Sequence, residues 1–243
     1  MLRHIGHKRS FTHNLRLAIL LCLNAGFINA AGFIAFAVLT TNVTGHAALL
    51  AVNLAEEHWR SARMVVLWLF LFLAGAFCSG WYIGRNGRNQ AAAYSAPIIV
   101  IMLIVGFVGL YGPHYQQTLP ETEYFAGSLL FAMGMQNALV SMISGSVVRT
   151  THLTGMFTDL GIDLSALAIS GFKPDATLKR RILLRISIII SFLAGAIAGA
   201  LCFNNMSFSA FCIPTGLLFI ALFYDYLRVK LRRLLSSQHD KKP

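Results

Sequence analysis

Two acids one helical turn apart, Asp159 and Asp163, stand inside a stretch otherwise apolar enough to be buried, 154–170. A spacing of four puts both on one helical face. A carboxylate within a membrane is costly, and its default meaning is proton or cation handling. The plainer alternative is a surface location, where the two acids are solvated or pair with Arg149 or Lys173. Directly upstream lies Thr150-Thr151-His152-Leu153-Thr154-Gly155, and 110 residues earlier the same pattern reads Thr40-Thr41-Asn42-Val43-Thr44-Gly45. Each Thr-Gly pair reads as a helix start, with Thr as the cap and Gly permitting close backbone approach. A half-helix that begins inside a membrane aims its free N–H groups and positive dipole end at the interior, which suits a polar or anionic ligand. Tight corners that only pack helices are the competing explanation.

Other polar groups fall where lipid or protein would surround them. Asn24 and Asn29 interrupt the first apolar run, and Gln136-Asn137 the fourth. Such amides either line a cavity or fasten helices. His46 follows the first Thr-rich motif and His152 stands within the second, in the place of Asn42; beside an acid they would titrate near neutral pH, although a lone histidine is more often a hydrogen-bonded structural residue. The candidate binding set is therefore Asn29, Asn42, Thr44, Gly45, Gln136, Asn137, Arg149, Thr151, His152, Thr154, Gly155, Asp159 and Asp163. Arg149 is the expected anion contact. No catalytic or metal set emerges: GxSxG, Walker-type GxxxxGK, HExxH and CxxC are all missing. Cys22, Cys78, Cys202 and Cys212 sit in apolar runs and read as small packing residues. No cofactor is expected.

The elements that must hold these residues are helices in a bilayer. Of 243 residues 56% are hydrophobic and only 12% charged, and the mean hydropathy is +0.65, which excludes an ordinary soluble globule. Uncharged stretches of spanning length recur at 17–39, 64–84, 96–112, 124–148 and 186–224. The last is long enough for two spans, with Asn204-Asn205 as the expected turn. The net charge of +11 reflects loops rather than a nucleic-acid surface, and no nucleic acid is expected. With six spans, every Lys and Arg except Arg60 and Arg63 lies on one side, the cytoplasmic side by the positive-inside rule.

A second shared string, Phe72-Leu73-Ala74-Gly75-Ala76 and Phe192-Leu193-Ala194-Gly195-Ala196, follows the two Thr motifs in the same order. Two strings in one order argue for a duplicated unit. The expected fold is all-α: a polytopic helical bundle of six spans as two inverted three-span repeats, each with a short re-entrant or broken helix. Eight spans in parallel repeats, with 43–55 and 154–170 crossing fully, are the alternative. The expected organisation is a basic cytoplasmic tail (1–14), a first repeat (15–112), an external loop (113–123), a second repeat (124–229) and a basic cytoplasmic tail (230–243).

The segment Ala25-Gly26-Phe27-Ile28-Asn29-Ala30-Ala31-Gly32-Phe33, followed by Asn42-Val43-Thr44-Gly45, carries a resemblance together with Met133-Gly134-Met135-Gln136-Asn137-Ala138, Arg149 to Gly155 and Asp159-Leu160-Gly161. With these residues the chain resembles the YoaK family of bacterial multispanning membrane proteins, over roughly residues 15 to 229. The resemblance implies an inner-membrane protein of about six spans without an established substrate. The functional expectation is a secondary transporter of a small polar or anionic solute or an ion, not an enzyme, with the lipid bilayer as its surroundings and room for a homo-oligomer. A non-transporting scaffold or accessory subunit is the alternative.

Overall fold

A computed structural model describes residues 11–86, 92–144 and 153–223. Its elements are α1 (Phe11–Phe36), α2 (Val43–Ala55), α3 (Trp59–Asn86), α4 (Ala92–Tyr111), α5 (Leu119–Ser144), α6 (Leu153–Ile169) and α7 (Ala176–Met206), followed by α8 over 212–223. Short 3-10 turns at Gly112–His114 and Ser207–Phe211 join α4 to α5 and α7 to α8. No strand occurs among the described residues. Among the described residues five stretches are long and apolar enough to cross a membrane, the last, Ala176–Phe223, running 48 residues through the break between α7 and α8. Large apolar side chains such as Phe70, Leu73, Phe77, Leu103, Ile190 and Ile197 point outward, while Asn24, Gln136 and Ser79 are buried. Apolar outside and polar inside is the arrangement of helices solvated by lipid, and the chain is an integral membrane protein.

The two most extensive helix contacts are not between sequence neighbours. α1 packs chiefly on α7 and α3 on α5. Small residues make both contacts possible, as van der Waals packing between membrane helices requires. A Cβ on Gly195 would lie 2.8 Å from the carbonyl carbon of Leu23, and one on Gly199 would lie 2.8 Å from Cα of Phe27. At the other crossing, a Cβ on Gly75 would lie 2.8 Å from the carbonyl carbon of Phe131, and one on Gly134 2.9 Å from that of Phe72. The FLAGA strings are thus the two crossing points.

Contact order also gives helix direction. Leu23 meets Gly195 and Phe27 meets Gly199, so α1 and α7 run the same way. Gly127 meets Leu71 and Gly80 faces Met142, so α3 and α5 also run the same way. Between α1 and α5 the order reverses: Asn24 pairs with Gln136, Gly32 faces Leu129 and Phe36 stacks on Phe125 at 5.9 Å. Those two helices are antiparallel. Phe36, Phe125, Tyr115 and Phe208 close that end of the bundle with edge and stacked ring contacts.

The short helices fold back as hairpins. α2 returns along α3, with the His46 ring 5.5 Å from Trp68, and α6 returns along α7. Their inward faces match: His46, Leu50 and Asn53 in α2 correspond, 110 residues on, to Met156, Leu160 and Asp163 in α6. The expected turn at Asn204-Asn205 falls slightly later. Asn205 is still helical and its amide donates to the Leu201 carbonyl at 2.8 Å, and the chain breaks at Ser207, which has φ 53°.

Candidate functional site

The polar residues predicted from sequence separate into three places. The first is the α1–α5 contact, where the Gln136 amide nitrogen donates to the Leu21 carbonyl at 2.9 Å and the Asn24 nitrogen donates to Gln136 Oε1 at 2.8 Å. Asn24 is 0% and Gln136 1% exposed. Leu21 offers only an acceptor, so Gln136 must turn its NH2 there and its oxygen toward Asn24. Asn24 must in turn present its own NH2, which leaves Asn24 Oδ1 facing away with a defined orientation. Among the described residues that oxygen accepts no hydrogen bond, and neither do Asn137 Oδ1, Ser79 Oγ and Thr40 Oγ1. Asn24 was read in the sequence as one more interrupting amide; its pairing with Gln136, 112 positions away, is a tertiary fact.

The second place is the first Thr-rich corner. The loop between α1 and α2 is partly buried, with Val38, Thr40 and Thr41 inside, and Asn29 Oδ1 accepts from the Thr41 backbone N–H at 3.1 Å. The expected cap shifts by two residues: Asn42, not Thr44, caps α2, its Oδ1 accepting from Gly45 N–H at 3.0 Å. A Cβ on Gly45 would press on that cap, 2.9 Å from Asn42 Cγ. Asn42 and Thr44 are exposed. His46 is buried and donates from Nε2 to the Leu39 carbonyl at 2.8 Å, which ties it to the corner's structure. In the second corner, Arg149, Thr151 and His152 lie outside the described residues. Thr154 is exposed and Gly155 half-buried in the first turn of α6. α2 packs on α3 and α6 on α7.

The third place is the α6–α7 contact. Asp163, 3% exposed, binds Arg185 through Nη1 and Arg181 through Nη2, the latter at 3.1 Å. Arg185 also reaches Asp159, its Nη2 3.3 Å from Oδ2 and its Nη1 2.9 Å from the backbone carbonyl. Two carboxylates and two guanidiniums form one neutral cluster. Charge-assisted bonds to both Asp163 oxygens hold α6 to α7. Among the described residues the partners are arginines four apart on the next helix and not Lys173, a spacing that mirrors Asp159/Asp163 and is readable in the sequence.

The duplicated positions act as an internal control. Where α6 and α7 carry Asp159, Asp163, Arg181 and Arg185, the corresponding positions of α2 and α3, 110 and 120 residues earlier, carry Leu49, Asn53, Ser61 and Val65. Asn53 is buried as Asp163 is, but its amide only bonds back to the Leu49 carbonyl at 2.9 Å. All four charges are present in one unit and all four are replaced in the other. Such a neutral set is the pattern of an ion-pair clasp rather than of a lone titrating acid.

A third shared string emerges from the crossings. Gly26-Phe27-Ile28-Asn29-Ala30 and Gly134-Met135-Gln136-Asn137-Ala138 occupy equivalent places against the two FLAGA segments. Their offset is 108 rather than 110, and only the glycines and the Asn-Ala pair are shared. Asn29 and Asn137 are thereby counterparts, both half-buried, whereas Asn24 and Gln136 answer to Ala132 and Ile28. Among the described residues no group of three His, Cys, Asp or Glu side chains could hold a metal ion.

No curated protein and no solved structure matches this chain. A family model described as "Protein of unknown function (DUF1275)" matches residues 17–224. That match takes in all eight helices except the first turns of α1, and the chain belongs to the DUF1275 family.

Proposed function

We propose that α1–α4 and α5–α8 are two copies of one unit inserted in opposite senses, making six spans with α2 and α6 as half-helices, and that the protein is a secondary transporter of a small polar solute. The observation that carries the reading is the antiparallel run of α1 and α5, the first helices of the two units, beside the parallel pairs α1–α7 and α3–α5. Eight spans in parallel repeats would require α1 and α5 to point the same way, against the contact order. Inverted units exchanging partners, each with a half-helix of its own and with buried amides where the units meet, resemble the plan on which many secondary transporters build a central site. Within the family we place the chain with the YoaK-like members, in a bacterial inner membrane with both termini cytoplasmic and without enzymatic activity.

Asp159 and Asp163 then belong to the α6–α7 clasp rather than to a coupling site. The reading transfers the cargo contact from the acids to the α1–α5 junction. A scaffold remains the second reading, since a fully paired ion cluster and glycine crossings also serve a protein that only holds its shape.

The architecture is tested with an impermeant thiol reagent applied from each face, using His58→Cys in the α2–α3 turn and Lys173→Cys in the α6–α7 turn. Inverted units put these equivalent turns on opposite faces, with His58 outside. Labelling of both from one face would overturn the inversion. Reconstituted vesicles that take up no solute from a panel of small amines, polyols and carboxylates would favour the scaffold over the transporter.

A further inference from the structure

The Asn24–Gln136 pair is the least expected feature of the bundle interior. Its two counterparts by repeat register, Ala132 and Ile28, are apolar and also fully buried, so burial at these register positions does not by itself call for an amide. The pair ends on a buried carbonyl oxygen of defined direction that accepts nothing among the described residues. A buried acceptor left without a donor is a standing cost. It is retained at the contact between the first helices of the two units.

We infer that Asn24, oriented by Gln136, is the recognition group of the transport site, and that it takes a small solute carrying N–H or O–H donors and no negative charge. This rests on the transporter reading and narrows its cargo. An anion without N–H or O–H groups, such as formate, brings only acceptors, and its lone pairs would face the Asn24 oxygen. Among the described residues Arg185 is the one arginine that is not exposed, and it is matched, with Arg181, by Asp159 and Asp163. The anionic cargo expected from the helix starts is therefore replaced by a donor cargo. An ammonium group and a neutral hydroxyl compound share the required chemistry.

The test uses the full chain in proteoliposomes with three labelled probes: methylammonium, glycerol and formate. Methylammonium or glycerol should enter faster than into protein-free vesicles, formate should not, and Asn24→Leu should lower donor-probe uptake by about tenfold, the worth of one hydrogen bond. Infrared difference spectra with the same probes should show a side-chain amide carbonyl shift that Asn24→Leu abolishes. Which donor probe acts separates an ammonium cargo from a neutral one. Formate uptake alone would overturn the donor class while leaving transport standing. A donor-induced carbonyl shift without uptake of any probe would keep the site and remove transport. Donor uptake and carbonyl shift both unchanged in Asn24→Leu would overturn the assignment of Asn24, provided the variant keeps wild-type elution and helix content. Because Asn24→Leu also frees the Gln136 oxygen, Asn24→Leu/Gln136→Leu serves as the second variant and should lose the same uptake with less loss of stability.

Discussion

Replacing Gly195 by alanine should separate α1 from α7 at their crossing. The added methyl would sit 2.8 Å from the Leu23 carbonyl carbon and nearer still to its oxygen, whereas ordinary contact begins at 3.4 Å. Both atoms are backbone, so no side chain can swing aside, and the helices must part by at least the 0.6 Å between those two values. Overpacking of this kind costs about 3 kcal/mol at the upper end of its usual range. Alanine's better helix propensity returns about 1 kcal/mol, leaving a net loss of about 2 kcal/mol, or roughly thirtyfold in the folding equilibrium. Gly161→Ala in α6 is the control: nothing lies within 4 Å of the new methyl, so only the propensity gain of about 1 kcal/mol applies. Titration of the purified protein from mild detergent into dodecyl sulfate, followed by circular dichroism, reads both. The variants should move in opposite directions, and Gly75→Ala at the α3–α5 crossing should behave as Gly195→Ala does. A Gly195→Ala protein as stable as the parent would refute the close-crossing reasoning, because no slack exists in the described contact to absorb the methyl.

Removing one partner of the α6–α7 clasp should cost according to burial. Asp163→Asn takes the buried carboxylate from Arg185, whose side chain is only 19% exposed, leaves it with Asp159 alone and should lose about 3 kcal/mol, whereas Arg181→Met, with its side chain 54% exposed, should lose less than about 1 kcal/mol; equal losses in the same titration would contradict the described burial. Gln136→Leu should cost about 1–3 kcal/mol by stranding the Asn24 amide, and a double-mutant cycle with Asn24→Leu should show the two changes to be strongly non-additive. Strictly additive losses would mean the amides do not interact. Ser207 holds φ 53° and ψ −139° at the end of α7, a region that favours glycine, so Ser207→Gly should raise the unfolding midpoint by about 1 kcal/mol in free energy; a fall would show the bend to be relaxed.

Much of this architecture is legible in one dimension because its causes are local. Apolar length alone marks the spans, and the duplicated Thr-rich and FLAGA strings mark equivalent corners and crossings. The helix ends are harder to read. Asn42 outcompeted Thr44 as the α2 cap because its side chain sits three residues before the Gly45 N–H it serves. The α7–α8 break moved past Asn204-Asn205 because an asparagine near a helix end can bond back to the helix, as Asn205 does. The third string was hidden by a two-residue change of offset, and only the helix crossings align it.

By itself the chain determined that it is a helical membrane protein, that two strings recur in the same order along it, and which positions carry acids, amides and arginines. Those properties follow from side-chain chemistry and chain length, which need no partner to be expressed. Tertiary structure alone decided that α1 belongs with α7 and α3 with α5, that Asp163 is held by Arg181 and Arg185, and that Asn24 meets Gln136. Each of these joins residues far apart in sequence except within the α6–α7 hairpin, and lipid offers polar groups no solvent to fall back on. The acids and amides therefore had to find partners in the bundle, and helix packing selected which ones.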